Sequence, residues 1–194
     1  LARMLVRPVA TKMRSFRKVV GISPETHSGL DAFAAALIGE LDAHLASHAF
    51  LLGGAPCVGD FALYGPLWAH LYRDPHSRRS FDGAPHVVRW FERLHGHAAD
   101  PATATATRTA PPPAGEHLPA DEVPASLDPV FARLFTEQWP LLATLSAALD
   151  AHLDAHPGQA GRVPRALGEA RFTVGGVRGS RRLVTYGAWK LQRV

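Results

Sequence analysis

Cysteine is nearly missing from the sequence, in which Cys57 is the single one among 194 residues. One cysteine excludes an internal disulfide framework and favours a reducing compartment, so we expect a cytoplasmic protein. Long apolar runs are missing too, and no stretch approaches the roughly 20 apolar residues that a membrane-spanning helix requires. The sequence therefore predicts a soluble chain with no membrane partner.

Self-contained catalytic motifs are missing as well. The sequence has no Gly-x-Ser-x-Gly elbow, no His-Glu-x-x-His, no P-loop and no dinucleotide fingerprint. His44 lies four residues from His48, and His152 four from His156, but neither pair has a third ligand at a defined spacing. We therefore expect packed or solvated histidines, no metal site, no catalytic residue and no cofactor in this chain.

Acidic residues do not occur in the first 20 positions, which carry six Lys or Arg. Residues 162–194 carry eight basic residues against Glu169, whereas residues 21–161 have a net charge of −9. A chain with two basic ends and an acidic middle can bind anions at either end. Nucleic acid is not expected as a partner, because neither basic end has the interleaved aromatic residues of a stacking surface.

The basic N-terminal segment, residues 1–22, also carries regularly spaced apolar residues and predicts an amphipathic helix interrupted near Pro8. An Arg-rich start without acids is typical of mitochondrial presequences too. The chain does not begin with Met, however, and serine is scarce in this segment. We therefore expect that residue 1 is not the biological start and that an upstream part of the protein precedes it.

The most informative stretch of the chain runs from Gly53 to Asp74 and combines a turn, a helix start and an apolar helix. Cys57 stands where an N-cap belongs, and Asp60 has the position of the acidic partner in a capping box. The helix is apolar on every face, which predicts a buried central helix, kinked near Pro66. Cys57 has two interpretations: a thiol activated by the helix N-terminus, or a small buried cap residue.

Apolar periodicity predicts one helix before this stretch, at about 28–48, and another after it, from Pro85 to Gly96. Residues 97–125 change in character and are rich in Pro, Ala and Thr. Such a composition has nothing large and apolar to bury and predicts a linker in place of a packed element.

Ordered structure is predicted again from Ser126, which has the character of an N-cap. The apolar pattern that follows predicts one kinked helix or two helices, interrupted at Pro140 and packed on the helical core of residues 28–97. Phe172 to Thr185 predicts a short β-hairpin with Gly-Gly and Gly-Ser turns, and Ala188 begins a terminal helix.

Two stretches resemble the C-terminal helical domain of soluble glutathione transferases. The first resembles that domain's central helix and consists of Phe50-Leu51-Leu52-Gly53-Gly54, Pro56 and Asp60-Phe61-Ala62-Leu63-Tyr64-Gly65. The second resembles the next helix and is Ala84-Pro85-His86-Val87-Val88-Arg89-Trp90-Phe91-Glu92-Arg93-Leu94. Together with the helix at 28–48, the resemblance covers roughly residues 28–97. The family usually has Ser or Thr where this chain has Cys57, so the helix start relies more on Asp60.

The resemblance implies a helical bundle of the glutathione transferase C-terminal type, and together with the strand pattern it predicts an all-α fold with a small β-hairpin near the C-terminus. The resemblance and the composition of the chain together predict three parts: a transferase-like helical domain over 1–97, a linker over 98–125, and an accessory helical extension with the hairpin over 126–194. The resemblance also implies pairing as a homodimer, and the single cysteine favours a cytoplasmic protein.

The implied function is that of the half of a glutathione transferase-like protein that binds the apolar electrophile. Tyr64, Trp68 and Tyr72 are the candidates for the pocket wall, although their helical spacing favours plain core residues. The glutathione-binding, thioredoxin-like domain is not recognisable in this chain, so we expect the chain to be inactive alone, with glutathione as co-substrate of a full-length protein. The alternative function is a non-catalytic helical protein-interaction module.

Overall fold

A computed structural model describes residues 2–98, 115–158 and 163–185. The described chain is mainly helical and ends in a two-stranded antiparallel sheet, so the predicted fold class is confirmed. The helices are α1 (Ala2–Val19), α2 (His27–Leu45), α3 (Val58–Pro66), α4 (Pro85–Ala98), α5 (Asp128–Arg133) and α6 (Trp139–Ala155), and the strands are β1 (Ala166–Val174) and β2 (Val177–Val184). Two π-helical segments, Leu67–Tyr72 and Leu134–Gln138, continue α3 and join α5 to α6, and short 3₁₀ turns lie at Arg78–Phe81, Pro119–Asp121 and Ala125–Leu127.

The chain divides into two compact units. One unit combines residues 1–33 with residues 133–194, and the other comprises residues 34–132. Helix α2 begins in the first unit and ends in the second. The division of the chain into domains at 1–97, 98–125 and 126–194 stays a prediction.

The unit of residues 34–132 is built around the end of α2 and the whole of α4. Its fully buried side chains include Leu41, Val87 and Trp90. The carboxylate of Asp42 on α2 accepts hydrogen bonds from the first N–H groups of α4, at 2.7 Å from His86 and 3.0 Å from Val87. A carboxylate at a helix N-terminus satisfies unpaired donors and favours the helix dipole, so α2 fixes where α4 begins. Helix α4 continues past Gly96, which keeps a helical backbone and does not end the helix as predicted.

A short stretch of backbone pairing holds together two distant segments of this unit. The turn at residues 50–54 pairs with residues 116–118, since Gly54 N donates to Glu116 O at 2.9 Å and Leu118 N donates to Leu52 O at 3.0 Å. A Cβ on Gly54 would lie 2.7 Å from the Cα of Gly115, so the two backbones can approach this closely only without side chains. Part of the predicted linker is therefore packed, because backbone pairing does not require large apolar side chains. Residues 99–114 of the linker lie outside the described residues.

The central helix departs from the sequence prediction in its burial. Only Asp60 and Leu67 are buried between Val58 and Tyr72, whereas the side chains of Val58 and Phe61 are 87% and 45% exposed. The prediction of a helix buried on every side is wrong, because in the described chain the packing partners of this helix lie on one side. After Pro66 the hydrogen bonds change from the α to the π pattern, and Arg73 N donates to Trp68 O. A proline removes a donor and crowds the preceding turn, which accounts for the change at this point.

The unit of residues 1–33 and 133–194 has a smaller core. Leu145 of α6 packs with Ala170 of β1 and Leu183 of β2. The sequence predicted the helices of residues 28–97 as the partner of α6, but α6 packs on the hairpin, whose inner face offers alternate apolar side chains. The hairpin turns once, at Gly175 and Gly176, which have positive φ angles of 52° and 79°.

Three further predictions need correction. Helix α1 continues through Pro8, because one missing backbone donor leaves the hydrogen bonds on either side in place. Gly179 and Ser180 lie within β2 and form no turn, since they pair with Phe172 and Arg171. Ser126 does not cap α5, which begins at Asp128 after a 3₁₀ turn. The predicted terminal helix lies outside the described residues.

Candidate functional site: an aromatic cleft between the central helix and α4

The start of the central helix is held by one buried carboxylate. Asp60 is fully buried, and its Oδ1 accepts hydrogen bonds from Leu51 N at 3.0 Å and from Trp90 Nε1 at 2.8 Å. Its Oδ2 accepts a hydrogen bond from Cys57 N at 2.8 Å, which is the acidic half of a capping box. Asp60 therefore joins the preceding turn, the first turn of α3 and the middle of α4, and it fixes the position of the helix that carries the cleft.

Cys57 is the N-cap residue of α3, with an extended backbone at φ −112° and ψ 175°. Its sulfur faces the Asp60 N–H, a weak pairing that falls short of a full cap hydrogen bond, as expected of a thiol. Burial, together with the hydrogen bond to the Asp60 carboxylate, raises the pKa of the Cys57 thiol. A nucleophilic cysteine requires a lowered pKa, so this geometry favours the interpretation as a cap residue.

Aromatic side chains follow one another along the helix after this cap. The rings of Tyr64 and Trp68 are stacked, with centroids 5.5 Å apart, and Tyr72 lies one turn further on. On α4, Phe91 contacts both ends of the row, at 5.9 Å from Tyr64 and 5.3 Å from Tyr72. Phe81 meets the ring of Tyr72 edge-on at 5.4 Å. Such contacts between aromatic rings contribute about 0.5–1.5 kcal/mol each beyond area burial and make the arrangement rigid.

The two helices leave a cleft of about 260 Å³ between them, which we call the aromatic cleft. Most of its lining is apolar, with one carboxylate and one imidazole. The lining residues are Trp68, Tyr72, Val88, Phe91, Glu92, His95 and Gly96. Two of the three predicted pocket residues, Trp68 and Tyr72, thus line the cleft, whereas Tyr64 stands beside it. Whether they bind a substrate stays a prediction.

Tyr64 is connected to the cleft by a hydrogen bond to His95, which is one of the lining residues. Its hydroxyl is hydrogen-bonded to His95 Nδ1 at 2.8 Å, and the imidazole ring lies 5.2 Å from the ring of Trp68. Burial raises the pKa of Tyr64, so the phenol is neutral at physiological pH. His95 was missed by sequence reasoning, although its position four residues after Phe91 places it on the same face of α4.

Two arginines flank the aromatic row. The guanidinium carbon of Arg73 lies 5.1 Å from the centre of the Trp68 ring, and that of Arg78 lies 4.7 Å from the centre of the Tyr72 ring. Arg78 Nη2 also donates a hydrogen bond to the hydroxyl of Tyr72 at 3.2 Å. Cations over aromatic faces are held electrostatically, and they place positive charge beside the cleft residues.

The paired histidines have structural partners. His44 is fully buried, its Nδ1 lies 2.8 Å from the Ser126 hydroxyl, and its ring stacks on that of His48 at 4.5 Å. His152 and His156 stack similarly at 4.4 Å. Among the described residues, no group of three or more His, Cys, Asp or Glu side chains is arranged to hold a metal ion.

The geometry thus defines a mostly apolar cleft of about 260 Å³ on a helical domain, slightly smaller than typical small-molecule sites. Residues 25–93 match the model of the glutathione S-transferase C-terminal domain. The match covers less than half of the chain, and for this part the predicted family resemblance is confirmed. Comparisons with curated proteins and with solved structures find no significant match.

The remaining residues after 93 are compatible with an extension to that domain. In the parts of the chain that the structure describes, no helix has both the length and the apolar character needed to cross a membrane.

Proposed function

We propose that the aromatic cleft holds the apolar group of an electrophile to which glutathione is transferred. The single observation that carries this proposal is the cleft itself, an apolar space walled by Trp68, Tyr72 and Phe91 within a domain of the transferase C-terminal type. A planar, electron-poor ring is the best occupant, because it can stack on these aromatic faces.

The polar groups around the cleft favour a glutathione conjugate as the bound molecule. Glutathione carries two carboxylates, and the guanidinium groups of Arg73 and Arg78 supply positive charge beside the rings of Trp68 and Tyr72. His95 is oriented by its hydrogen bond to Tyr64 and offers a polar contact at the cleft wall. These contacts favour an aromatic conjugate of glutathione over an apolar molecule of the same size.

Thiol activation is not part of this proposal for the helical domain. A reacting glutathione must lose its thiol proton, and Cys57 and Tyr64, a thiol and a phenol of this domain, both have pKa values raised by burial. The described elements are helices and one hairpin, without a thioredoxin-like βαβ unit among them. In our proposal the domain binds and orients the electrophile, is inactive alone, and works with a glutathione-binding domain in a cytoplasmic, homodimeric protein.

Binding of S-(4-nitrobenzyl)glutathione, measured by isothermal titration calorimetry, tests the proposal. We expect binding of this conjugate and much weaker binding of glutathione itself, because only the conjugate has an apolar group for the cleft. Replacing Trp68 by Ala should weaken conjugate binding at least about tenfold, which corresponds to about 1.4 kcal/mol. Trp139→Ala is the matched control, since Trp139 is 51% exposed and does not line the cleft.

Equal weakening by Trp68→Ala and Trp139→Ala would refute the proposed site. No binding of the conjugate at all would favour the alternative function, a non-catalytic interaction module. Circular dichroism spectra of both variants establish that a loss of binding is not a loss of folding.

A further inference from the structure

Helix α1 leaves two large apolar side chains open to solvent. Met13 is 60% exposed and Phe16 is 48% exposed, and their spacing of three residues places them on one face of the helix. By position, Leu5 and Val9 continue this face toward the start of α1. Every side chain from Thr11 to Lys18 is exposed, so no other described segment covers this part of the helix. We call positions 5, 9, 13 and 16 the apolar stripe of α1.

The charges of α1 have a single sign, since the helix contains no Asp or Glu. Its basic residues are Arg3, Arg7, Lys12, Arg14, Arg17 and Lys18. By helical position, Lys12 and Arg17 lie on opposite flanks of the apolar stripe, and Arg14 lies behind it. The unit to which α1 belongs, residues 1–33 and 133–194, carries fifteen Lys or Arg against six Asp or Glu. A surface that covers α1 must therefore accept apolar groups and supply negative charge on both sides of them.

The C-terminal end of α1 is fixed to its unit. The hydroxyl of the buried Thr26 donates a hydrogen bond to Gly21 O at 2.8 Å. Gly21 has a φ angle of 82°, and a Cβ on it would lie 2.5 Å from the ring of Phe172 on β1. Arg17 Nη2 also donates a hydrogen bond to Nε2 of His27, the first residue of α2, at 2.8 Å. The apolar stripe therefore belongs to a helix that is anchored on the folded unit.

We propose that α1 lies in the headgroup layer of an anionic lipid bilayer, with its apolar stripe toward the acyl chains and its basic side chains among the headgroups. A helix with one apolar stripe, many Lys and Arg residues and low net hydrophobicity is the type that binds at a membrane interface. A bilayer supplies acyl chains directly below a continuous anionic layer, which matches a stripe with Lys12 and Arg17 on its two flanks. Pairing with α1 of a second copy is disfavoured, because two such helices side by side repel each other.

Binding at the surface of a membrane is distinct from crossing it. The absence of a long apolar run in the sequence predicted no membrane partner, but that criterion concerns spanning helices and does not apply to a helix in the plane of the interface. Laid flat, the 18 residues of α1 extend over about 27 Å. Much of the attraction is electrostatic, so binding should weaken as the salt concentration rises. The proposed surface is independent of the aromatic cleft, none of whose lining residues belongs to α1.

Co-sedimentation of the full chain with lipid vesicles tests the proposed surface. The probes are vesicles of phosphatidylcholine alone and vesicles in which half of it is replaced by phosphatidylglycerol. We expect binding to the anionic vesicles to be at least about tenfold tighter than to the neutral ones, because each basic residue near an anionic surface strengthens binding about fivefold. Poly-glutamate is the probe for an acidic protein partner, and we expect its binding to be weaker and unaffected by substitution of Phe16.

Substitution of Phe16 tests the apolar stripe. Phe16→Ser should weaken binding to the anionic vesicles at least about fivefold, whereas Phe16→Leu, which keeps an apolar side chain, should stay within about twofold of the wild type. Phe135→Ser is the matched control, since Phe135 is 61% exposed elsewhere in the same unit, and it should leave vesicle binding unchanged. Far-UV circular dichroism spectra establish that the variants are folded.

Two double variants test the charges of α1. Lys12→Gln combined with Arg14→Gln should weaken binding to the anionic vesicles at least about tenfold. Arg79→Gln combined with Arg89→Gln removes the same net charge from exposed positions of the other unit. This control should change vesicle binding less than about threefold, because charges beyond the Debye length are screened.

Several outcomes would overturn the proposed surface. They are no binding to the anionic vesicles, equal binding to both kinds of vesicle, equal effects of Phe135→Ser and Phe16→Ser, and equal effects of the two double variants. Tight binding of poly-glutamate that Phe16→Ser weakens, without vesicle binding, would replace the bilayer by an acidic protein as the partner of α1.

Discussion

Replacing Asp60 by Ala should destabilise the unit of residues 34–132 by about 3–5 kcal/mol. The substitution leaves three donors without their acceptor: the backbone N–H groups of Leu51 and Cys57, and the indole N–H of Trp90. Each unsatisfied buried donor costs about 1–3 kcal/mol, and neighbouring costs do not add fully. A helix cap alone is worth about 1 kcal/mol, so the larger value is specific to a carboxylate that joins three segments.

Urea titration followed by far-UV circular dichroism measures this change, and thermal unfolding should show a midpoint lowered by about 6–20 °C. Asp60→Asn keeps the shape of the side chain but presents an amide N–H₂ to one of the three donors. Its loss of stability should therefore be smaller than that of Asp60→Ala. Asp82→Ala, at an exposed carboxylate, is the control and should stay within about 0.5 kcal/mol of the wild type. A loss of only about 1 kcal/mol for Asp60→Ala would show that Asp60 acts as a cap alone and would refute the three-segment account.

Three further predictions test other parts of the structure. Gly29→Ala should destabilise the protein by about 1–3 kcal/mol because its Cβ meets the hairpin backbone, whereas Gly39→Ala, with open space around it, should stabilise the same helix by about 0.5–1 kcal/mol. Cys57 should react with iodoacetamide at pH 7.5 more slowly than N-acetylcysteine does, because burial raises its pKa, and urea should abolish the difference. Burial lowers the pKa of His44 in the folded chain below the unfolded value of about 6.5, so the unfolded chain binds a proton at a higher pH than the folded chain does. The free energy of unfolding should therefore fall as the pH drops below about 6.5, and it should fall less in His44→Gln.

Each of these predictions has an opposite outcome. Equal effects of the two glycine substitutions on the urea midpoint would contradict the close contact between α2 and the hairpin. Alkylation of Cys57 as fast as that of the free thiol would restore the reactive interpretation. Identical pH profiles for the wild type and His44→Gln would show that His44 does not resist protonation in the folded state.

Local signals in the sequence were sufficient for the helix start and the hairpin. The spacing of Cys57 and Asp60 located the first turn of α3 because capping depends on neighbouring residues only. Gly175 and Gly176 located the hairpin turn for the same reason, since both need positive φ. Pro66 marked the point at which the hydrogen-bond pattern changes.

Features that depend on distant segments were not predictable in this way. An apolar sequence does not say which of its faces meets a neighbour, and Phe61 is therefore exposed although the pattern predicted its burial. The indole of Trp90 lies 30 residues from its acceptor on Asp60, and His95 lies 31 residues from Tyr64. Contacts at such separations follow from the packing of α3 on α4, which a single sequence does not encode in any short motif.

The central claim is that the aromatic cleft receives the apolar part of a glutathione conjugate, and the indole N–H signals of the four tryptophans test it most directly. In a ¹H–¹⁵N spectrum recorded during titration with S-(4-nitrobenzyl)glutathione, we predict a saturable shift of the Trp68 indole signal. The signal of the exposed Trp139 should not move. An unchanged Trp68 signal at saturating conjugate, or a shift of Trp139 as large as that of Trp68, would contradict the claim.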